Sequence, residues 1–248
     1  MILLSCDFRK FRLEDEPITK RKILSLTHKI FDPIGFTCPV TLVPKIILQE
    51  CWKIKVSWDT KLPENIVKMF KKFKNRIIEL KKIAIPRRLS RFSFKQGKMS
   101  IHVFYDACKT SYATCIFLRN EFQGQVTCQL LQARSRVAPL KNITIVRLEF
   151  LACCIGARLA DTVKKDLKLE DADVFYWSDS MDALHWIKKE GPWKTFVENS
   201  VKEIRKLSEV TSWKFVPGHQ NPADLPSRGC NAEELVKSQW WERPSWLY

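Results

Sequence analysis

The chain reads as an α/β protein: a mixed sheet flanked by helices, preceded by a small all-helical segment with a basic exterior. Three observations predict this. Apolar residues recur at helical spacing through the first ninety positions and switch to period two from Ser100. Three closely spaced strand-like runs are then followed by strands that alternate with helices, which implies a mixed sheet. Four acids also occupy distinct local contexts. Asp106 and Asp179 end the alternating runs IHVFYD and ADVFYWSD, Glu149 falls near the start of a long helical stretch, and Asp224 follows GHQNPA.

Taken in order, ITKRKILSLTHKIFDP predicts a short amphipathic helix through Ile23, Leu24, Leu26 and Ile30, ended by Asp32-Pro33. VTLVPKIILQECWKIKV predicts a second, with Leu42, Ile46, Ile47 and Trp52 on its apolar face. WDTKLPENI is a loop, with Pro63 near the first turn of a third helix over 64–83. That helix sets Ile66, Met69 or Phe70, Phe73 and Ile77 against a Lys-rich face, and Pro86 ends the pattern. IHVFYDAC, SYATCIFLRN and QVTCQLLQARSRV then read as an antiparallel meander. RLEFLACCIGARLADTVKKDL is a helix with Leu148, Leu151, Ile155 and Leu159 on one stripe. DADVFYWSD is a buried strand, MDALHWIKK and TFVENSVKEIRKLSE are helices, and SWKFVPG is a last strand. Trp177, Trp186 and Trp213 fall on apolar faces and suit core packing more than base stacking.

The formal net charge is +16, and it is unevenly placed. Residues 1–99 hold 23 Lys/Arg against 9 Asp/Glu, and the remainder is nearly balanced. A basic segment beside a carboxylate-bearing one suits gripping a polyanion with one part and cutting it with the other; a solvated helical face is the plainer alternative. No apolar run approaches the ~18–20 residues of a membrane span, and MILLSCDF lacks the features of a signal peptide. No membrane association is expected. Nine cysteines at irregular spacing, with no C-x₂-C pair and only four His, argue for reduced, mostly buried thiols in an intracellular setting and against zinc.

Acids on strand ends and helices can converge in space, and such a cluster repels itself unless cations occupy it. Hard oxygen ligands select Mg²⁺, with Mn²⁺ as the substitute. Two such ions activate water and steady the leaving oxygen of a phosphodiester, so the acids point to a nuclease. Ser178 and Ser180 read as turn and cap residues, with no His-Asp relay to make either a nucleophile. Arg228 suits either a phosphate or the acids.

The element order with these acids resembles the ribonuclease H fold. The strings TKRKILSLTHKIFDPIGFTCPVTLVPKIILQECWKIKVSWDTKLP, IVRLEFLACCIGARLA, YWSDSMDALHWI and FVPGHQNPADLPSRG resemble the Pol polyprotein of Bel/Pao-type LTR retrotransposons over almost the whole chain. That resemblance implies a reverse-transcriptase thumb- or connection-like segment at 1–95, a ribonuclease H-like domain at 98–235, and a connector toward an integrase at 236–248. It implies Asp106, Glu149, Asp179 and Asp224 as metal ligands and catalytic acids. Asp106 would bridge two ions, Glu149 and Asp179 would complete one shell, and Asp224 the other. His219, five residues before Asp224, matches a loop histidine of cellular ribonucleases H; a turn histidine is the alternative. The implied reaction is Mg²⁺-dependent hydrolysis of the RNA strand of an RNA–DNA hybrid. The implied partners are that hybrid, the polymerase palm and the integrase, in cytoplasm or a virus-like particle. Removing residues 1–99 is expected to flatten the salt dependence of hybrid binding and leave a domain that still cleaves at low salt. A non-catalytic nucleic-acid-binding scaffold of the same fold is the first alternative. A peptidase, the label such segments also carry, is the second, and no Asp-Thr-Gly or Asp-Ser-Gly motif supports it.

Overall fold

A computed structural model describes residues 17–86, 88–92, 96–242 and 244–247, together with the backbone of a two-residue strand, β1 (Leu3–Leu4). The Thr19 hydroxyl accepts the Lys22 N–H and opens α1 (Lys20–His28), which buries Ile23 and Leu26. Asp32 then folds the DPIGF turn around its carboxylate. Oδ1 accepts the N–H of Gly35 and Phe36, and Oδ2 accepts the N–H and hydroxyl of Thr37. These bonds satisfy donors just ahead of α2 (Cys38–Lys53). Trp52, expected on the buried face of α2, is instead 49% exposed. Its ring is covered by the Lys20 ammonium at 3.7 Å and meets Trp58 edge-on, so a cation rather than the core shields it.

The third helix buries Ile66, Phe70 and Phe73, with Met69 outside, but α3 ends at Arg76 (Glu64–Arg76). A 3₁₀ turn, Ile77–Lys82, replaces its predicted last turns. Ile77, Leu80 and Ile83 are all buried, and the 3₁₀ period of three residues puts such a triplet on one side. Strand β2 (Ile85–Pro86) pairs antiparallel with β1.

The period-two region forms β3 (Lys98–Ala107), β4 (Ser111–Phe122) and β5 (Gln125–Val137), an antiparallel meander as predicted. The chain continues through α4 (Ile145–Asp166), β6 (Asp173–Ser178), α5 (Met181–Lys188), α6 (Thr195–Leu207), β7 (Trp213–Phe215), α7 (Asp224–Arg228) and α8 (Ala232–Ser238). The sheet order is β5-β4-β3-β6-β7, with β6 parallel to both β3 and β7. The predicted mixed sheet is present in full.

Alternation along the central strands supplies a core on each face. Ile101, Val103 and Tyr105 of β3 join Ile116 and Leu118 of β4 under α4, α5 and α6. On α4, Leu148 and Leu159 are buried as expected, but Leu151 and Ile155 are only half buried. Ala152, Cys153, Ala157 and Ala160 make the close contact instead. Phe104, Phe117 and Leu130 point the other way, into a core they share with Ile47, Phe70 and Leu80 of the N-terminal helices and with Leu235 of α8. Each fully buried side chain of this size contributes about 1.5–3 kcal/mol. The borders expected at residues 95 and 236 thus fall inside continuous packing. Beyond α8, Trp240 is buried and donates its indole N–H to the Phe36 carbonyl at 3.1 Å. Trp246 meets Phe104 and Trp177 edge-on, and the Arg119 Nε donates to the Leu247 carbonyl at 2.7 Å. The predicted connector therefore lies across the sheet as a strap.

All eight described cysteines are free, and six of them are buried. Among the described residues no helix is long and apolar enough to cross a membrane.

Candidate active site

Parallel pairing of β3 with β6 brings the first two acids to the same end of the sheet. Tyr105 lies opposite Ser178, so Asp106 follows one residue later on β3 and Asp179 just past the end of β6. In open α/β sheets this carboxyl edge is where ligands collect. Asp224 arrives from the other side as the first residue of α7, which packs on β3 and β4. Glu149 is in the second turn of α4, against the opposite face.

The four acids differ in environment. Asp106 is 7% exposed, and its carboxyl is pushed up to about 7. Burial is the main cause; the charges of Asp179 and Asp224 add to it, and a hydroxyl hydrogen bond from Ser227 opposes it. The Ser227 hydroxyl lies between Asp106 Oδ2 and, at 2.8 Å, the Asp224 carbonyl oxygen, and its single proton serves one of the two. Asp179 is also raised, first by burial and then by Asp224, while its own backbone N–H and Asn221 oppose the shift. Its Oδ1 is shut away from solvent without a hydrogen-bond partner. The Asn221 amide donates one N–H to the Tyr105 carbonyl at 2.7 Å, and its second N–H faces Asp179 and tempers that charge, while the carboxylate Oδ1 stays unpaired. Glu149 is raised by burial, with Asp179 and Asp182 adding to the shift and the Ser180 hydroxyl opposing it. Asp224 is paired with its own helix, its Oδ1 2.6 Å from Arg228 Nε.

Asp106, Asp179 and Asp224 are therefore mutually within electrostatic reach, and Glu149 joins through Asp179. His219 sits on the exposed turn Gly218–Gln220 and lines an open groove of about 730 Å³ with Asp224, Asn221 and Trp246. Ser178 and Ser180 are the turn and cap residues expected. The Ser178 hydroxyl accepts the Ser180 N–H, and the Ser180 hydroxyl accepts the Ala183 N–H at the start of α5. Two residues escaped sequence reasoning. Ser227 lies three positions after Asp224, on the same helical turn. Asn221 is two residues after His219, and its Oδ1 also accepts the Ala223 N–H. Only their placement beside strand ends gives either one a role.

A metal fits this site in kind. The donors are all carboxylate oxygens, the buried Asp179 Oδ1 has no partner, and the elevated Asp106 carboxyl marks uncompensated negative charge. As the side chains stand, no group of three His, Cys, Asp or Glu among the described residues is gathered closely enough to hold an ion. Asp106 is turned to Ser227 and Asp224 to Arg228 instead.

Several solved structures resemble the chain at low identity. The N-terminal RNase H domain of a Mycobacterium tuberculosis protein, solved as a fusion with maltose-binding protein, is 12% identical with a TM-score of 0.35; the match covers 58% of this chain and 99% of that one. LC11-RNase H1 in complex with an RNA/DNA hybrid is 16% identical with a TM-score of 0.34, covering 50% and 88%. A foamy viral protease-reverse transcriptase in complex with dsDNA is 12% identical with a TM-score of 0.46, covering 84% of this chain and 40% of that one. No curated protein matches. Residues 19–180, from the first helix through Asp179, match the family described as the Pao retrotransposon-like RNaseH-like domain. With most of its length inside that match and a mixed five-stranded sheet flanked by helices, the chain belongs to the Pao retrotransposon-like RNaseH-like domain family.

Proposed function

We propose that this protein is a ribonuclease H-type endonuclease that hydrolyses the RNA strand of an RNA–DNA hybrid, working within a larger retrotransposon polyprotein. One observation carries the reading. Asp106 and Asp179 stand at neighbouring strand ends, Asp224 and Glu149 lie within electrostatic reach of Asp179, and the most buried of the four has its carboxyl held up to about 7. Fold stability gains nothing from such crowding, which raises the cost of every ionisation.

In this reading Asp106, Glu149, Asp179 and Asp224 would hold Mg²⁺ or Mn²⁺. When bound, the ions supply a nucleophilic water and charge stabilisation at the phosphodiester. The chain's own residues do the rest. Asp106 is fixed by β3 and exchanges Ser227 as its partner. Asp224 must turn from Arg228, which frees a guanidinium beside the site for a phosphate oxygen. His219 lies on the groove side of Asp224, where an exposed imidazole can pass a proton to a leaving oxygen. Strand choice rests on 2′-hydroxyls and duplex shape.

The test is cleavage of an end-labelled RNA–DNA hybrid with and without Mg²⁺ or Mn²⁺, with Asp179→Asn alongside. The parent is expected to cut only with metal. Asp179→Asn should fall below about a hundredth of the parent rate, a loss on the scale of one preorganised charge, while still binding the hybrid. Equal cutting by both would sink the assignment.

A second reading has an observation of its own. Because Asp224 is satisfied by Arg228 and Asp106 by Ser227, the same fold can serve as a binding scaffold without turnover. A parent that binds hybrid but cuts it with neither metal would favour that alternative.

A further inference from the structure

Away from the acids, a cavity of about 500 Å³ opens where the DPIGF turn and α2 meet the edge strand β5. Lys45, Arg134, Arg136 and His28 line it, with Asp32 as the only acid. The Asp32 carboxylate is already committed to three backbone N–H groups and the Thr37 hydroxyl. Among the described residues no carboxylate pairs with Lys45, Arg134 or Arg136. Lys45 is partly buried, and burial is the main influence lowering its ammonium from the usual range; Cys38 and Asp32 oppose the shift, and Arg136 adds to it. A half-desolvated cation without a directly bonded anion costs stability, and Asp32, the one acid in the lining, has its oxygens turned to the backbone and Thr37 while a second cation stands nearby.

The cavity walls are rigid. Ala133 donates its N–H to the Ile34 carbonyl at 2.7 Å, tying the turn to β5. The Gln49 side chain donates to the Ala138 carbonyl one helical turn beyond Lys45. Ser135, also in the lining, donates its hydroxyl to the Pro226 carbonyl of α7 at 2.6 Å, so the cavity is coupled to the helix that carries Asp224. The register gives its distance from the acids. Asp106 lies opposite Ala113, and Ala113 opposite Ser135. Two strand spacings of ~4.8 Å put Ser135 roughly 10 Å from Asp106, on the same face.

We infer that this cavity is an anion site that takes a backbone phosphate of the bound polynucleotide away from the point of cleavage, with Lys45 and Arg136 as its charges. The inference deepens the nuclease reading and rests on it for the identity of the polymer. The chemistry recognised is a phosphate group. A rigid, partly buried cationic recess anchors one phosphate and fixes the register of the strand, whereas mobile surface lysines attract the duplex without placing it.

The test uses the full chain carrying Asp179→Asn, so that binding is read without cleavage, and a labelled RNA–DNA hybrid titrated over a range of salt. Lys45→Gln with Arg136→Gln is expected to weaken binding several-fold at low salt. It should reduce the slope of log K against log salt by about 0.7–0.9, the equivalent of one phosphate. A scan of single methylphosphonates should find one internal position that weakens the parent and has no further effect on the double variant. Unchanged slope, or a methylphosphonate effect that persists in the variant, overturns the inference. Melting temperatures of parent and variant should agree within a few degrees, and a collapse would be checked with Lys45→Arg, expected to restore both stability and slope. Inorganic phosphate against chloride at equal ionic strength is the second arm. A Lys45-dependent rise in melting temperature with phosphate alone, without the slope change, would assign the recess to a free anion and overturn the polynucleotide assignment. The two readings fail separately. Cleavage by the parent with an unchanged variant slope removes only the recess, and a reduced slope without any parental cleavage removes only the nuclease.

Discussion

His102 shows how one residue's surroundings settle its chemistry. Its Nδ1 faces the Trp177 indole N–H at 3.2 Å, and its Nε2 lies 3.0 Å from the Ser100 hydroxyl. An indole N–H only donates, so Nδ1 is the acceptor and Nε2 carries the proton. Burial first, and then the charge of Arg119, push its pKa down to about 4. Below the ordinary value near 6.5 the unfolded chain takes up a proton that the folded chain refuses. The contribution of His102 to stability is therefore present above about pH 6.5 and is lost as pH falls toward 4. Melting curves from pH 7.5 to 4.5 should show the parent losing more stability than His102→Gln, and parallel curves would show that His102 does not titrate this way. Such detail is hidden in the sequence, where IHVFYD gives only a strand. The same holds at the candidate site. The element on or beside which each of the four acids falls was legible from its local string, because strand ends and helix starts are local features. Ser227 and Asn221 were not, because their partners Asp106 and Tyr105 are more than a hundred residues away.

At the scale of elements, the turn between α1 and α2 depends on Gly35. Its φ is +82°, and a Cβ there would come within 1.9 Å of the Ala133 carbonyl oxygen. Gly35→Ala is expected to cost roughly 2 kcal/mol or more, combining left-handed backbone strain with a backbone clash. Gly124, in the β4–β5 turn, has φ +73° with nothing near the same position, so Gly124→Ala should cost only about 1 kcal/mol. Urea titrations of the two variants test the difference, and equal losses would mean that the contact with β5 is not formed. Strands β3 to β5 and helices α4 to α6 were readable because one periodicity runs through each. The end of α3 was not, because Ile77, Leu80 and Ile83 suit a helix or a 3₁₀ turn until the surface they pack on is known.

For the whole molecule, amphipathic helices in the first ninety residues declare that each has a face to bury, but not against what. The structure spends those faces on the sheet, where Phe104, Phe117, Leu130 and Ala133 lie in the same core as Phe70 and Leu80. This alters the expectation for removal of residues 1–99, and equally for a chain cut just before β3, lacking residues 1–97. Such a chain loses one helical layer and bares an aromatic sheet face, so its salt dependence cannot be read as that of an intact domain. It is expected to bind a hydrophobic dye and to melt without a cooperative transition; a sharp melt and no dye binding would restore the picture of two separable domains. The double covering also orders the motions of the molecule. Backbone amides of Val103–Tyr105 and Cys115–Leu118, paired on both sides and roofed above and below, should be the last to exchange with deuterium, opening only when the whole fold does. Asp106 is mounted on that slowest strand, whereas Asp224 rides on a helix of five residues. Any gathering of the acids around a ligand is thus a small excursion of α7 toward a stationary Asp106, and the exchange rate of the α7 amides is where that excursion would be seen.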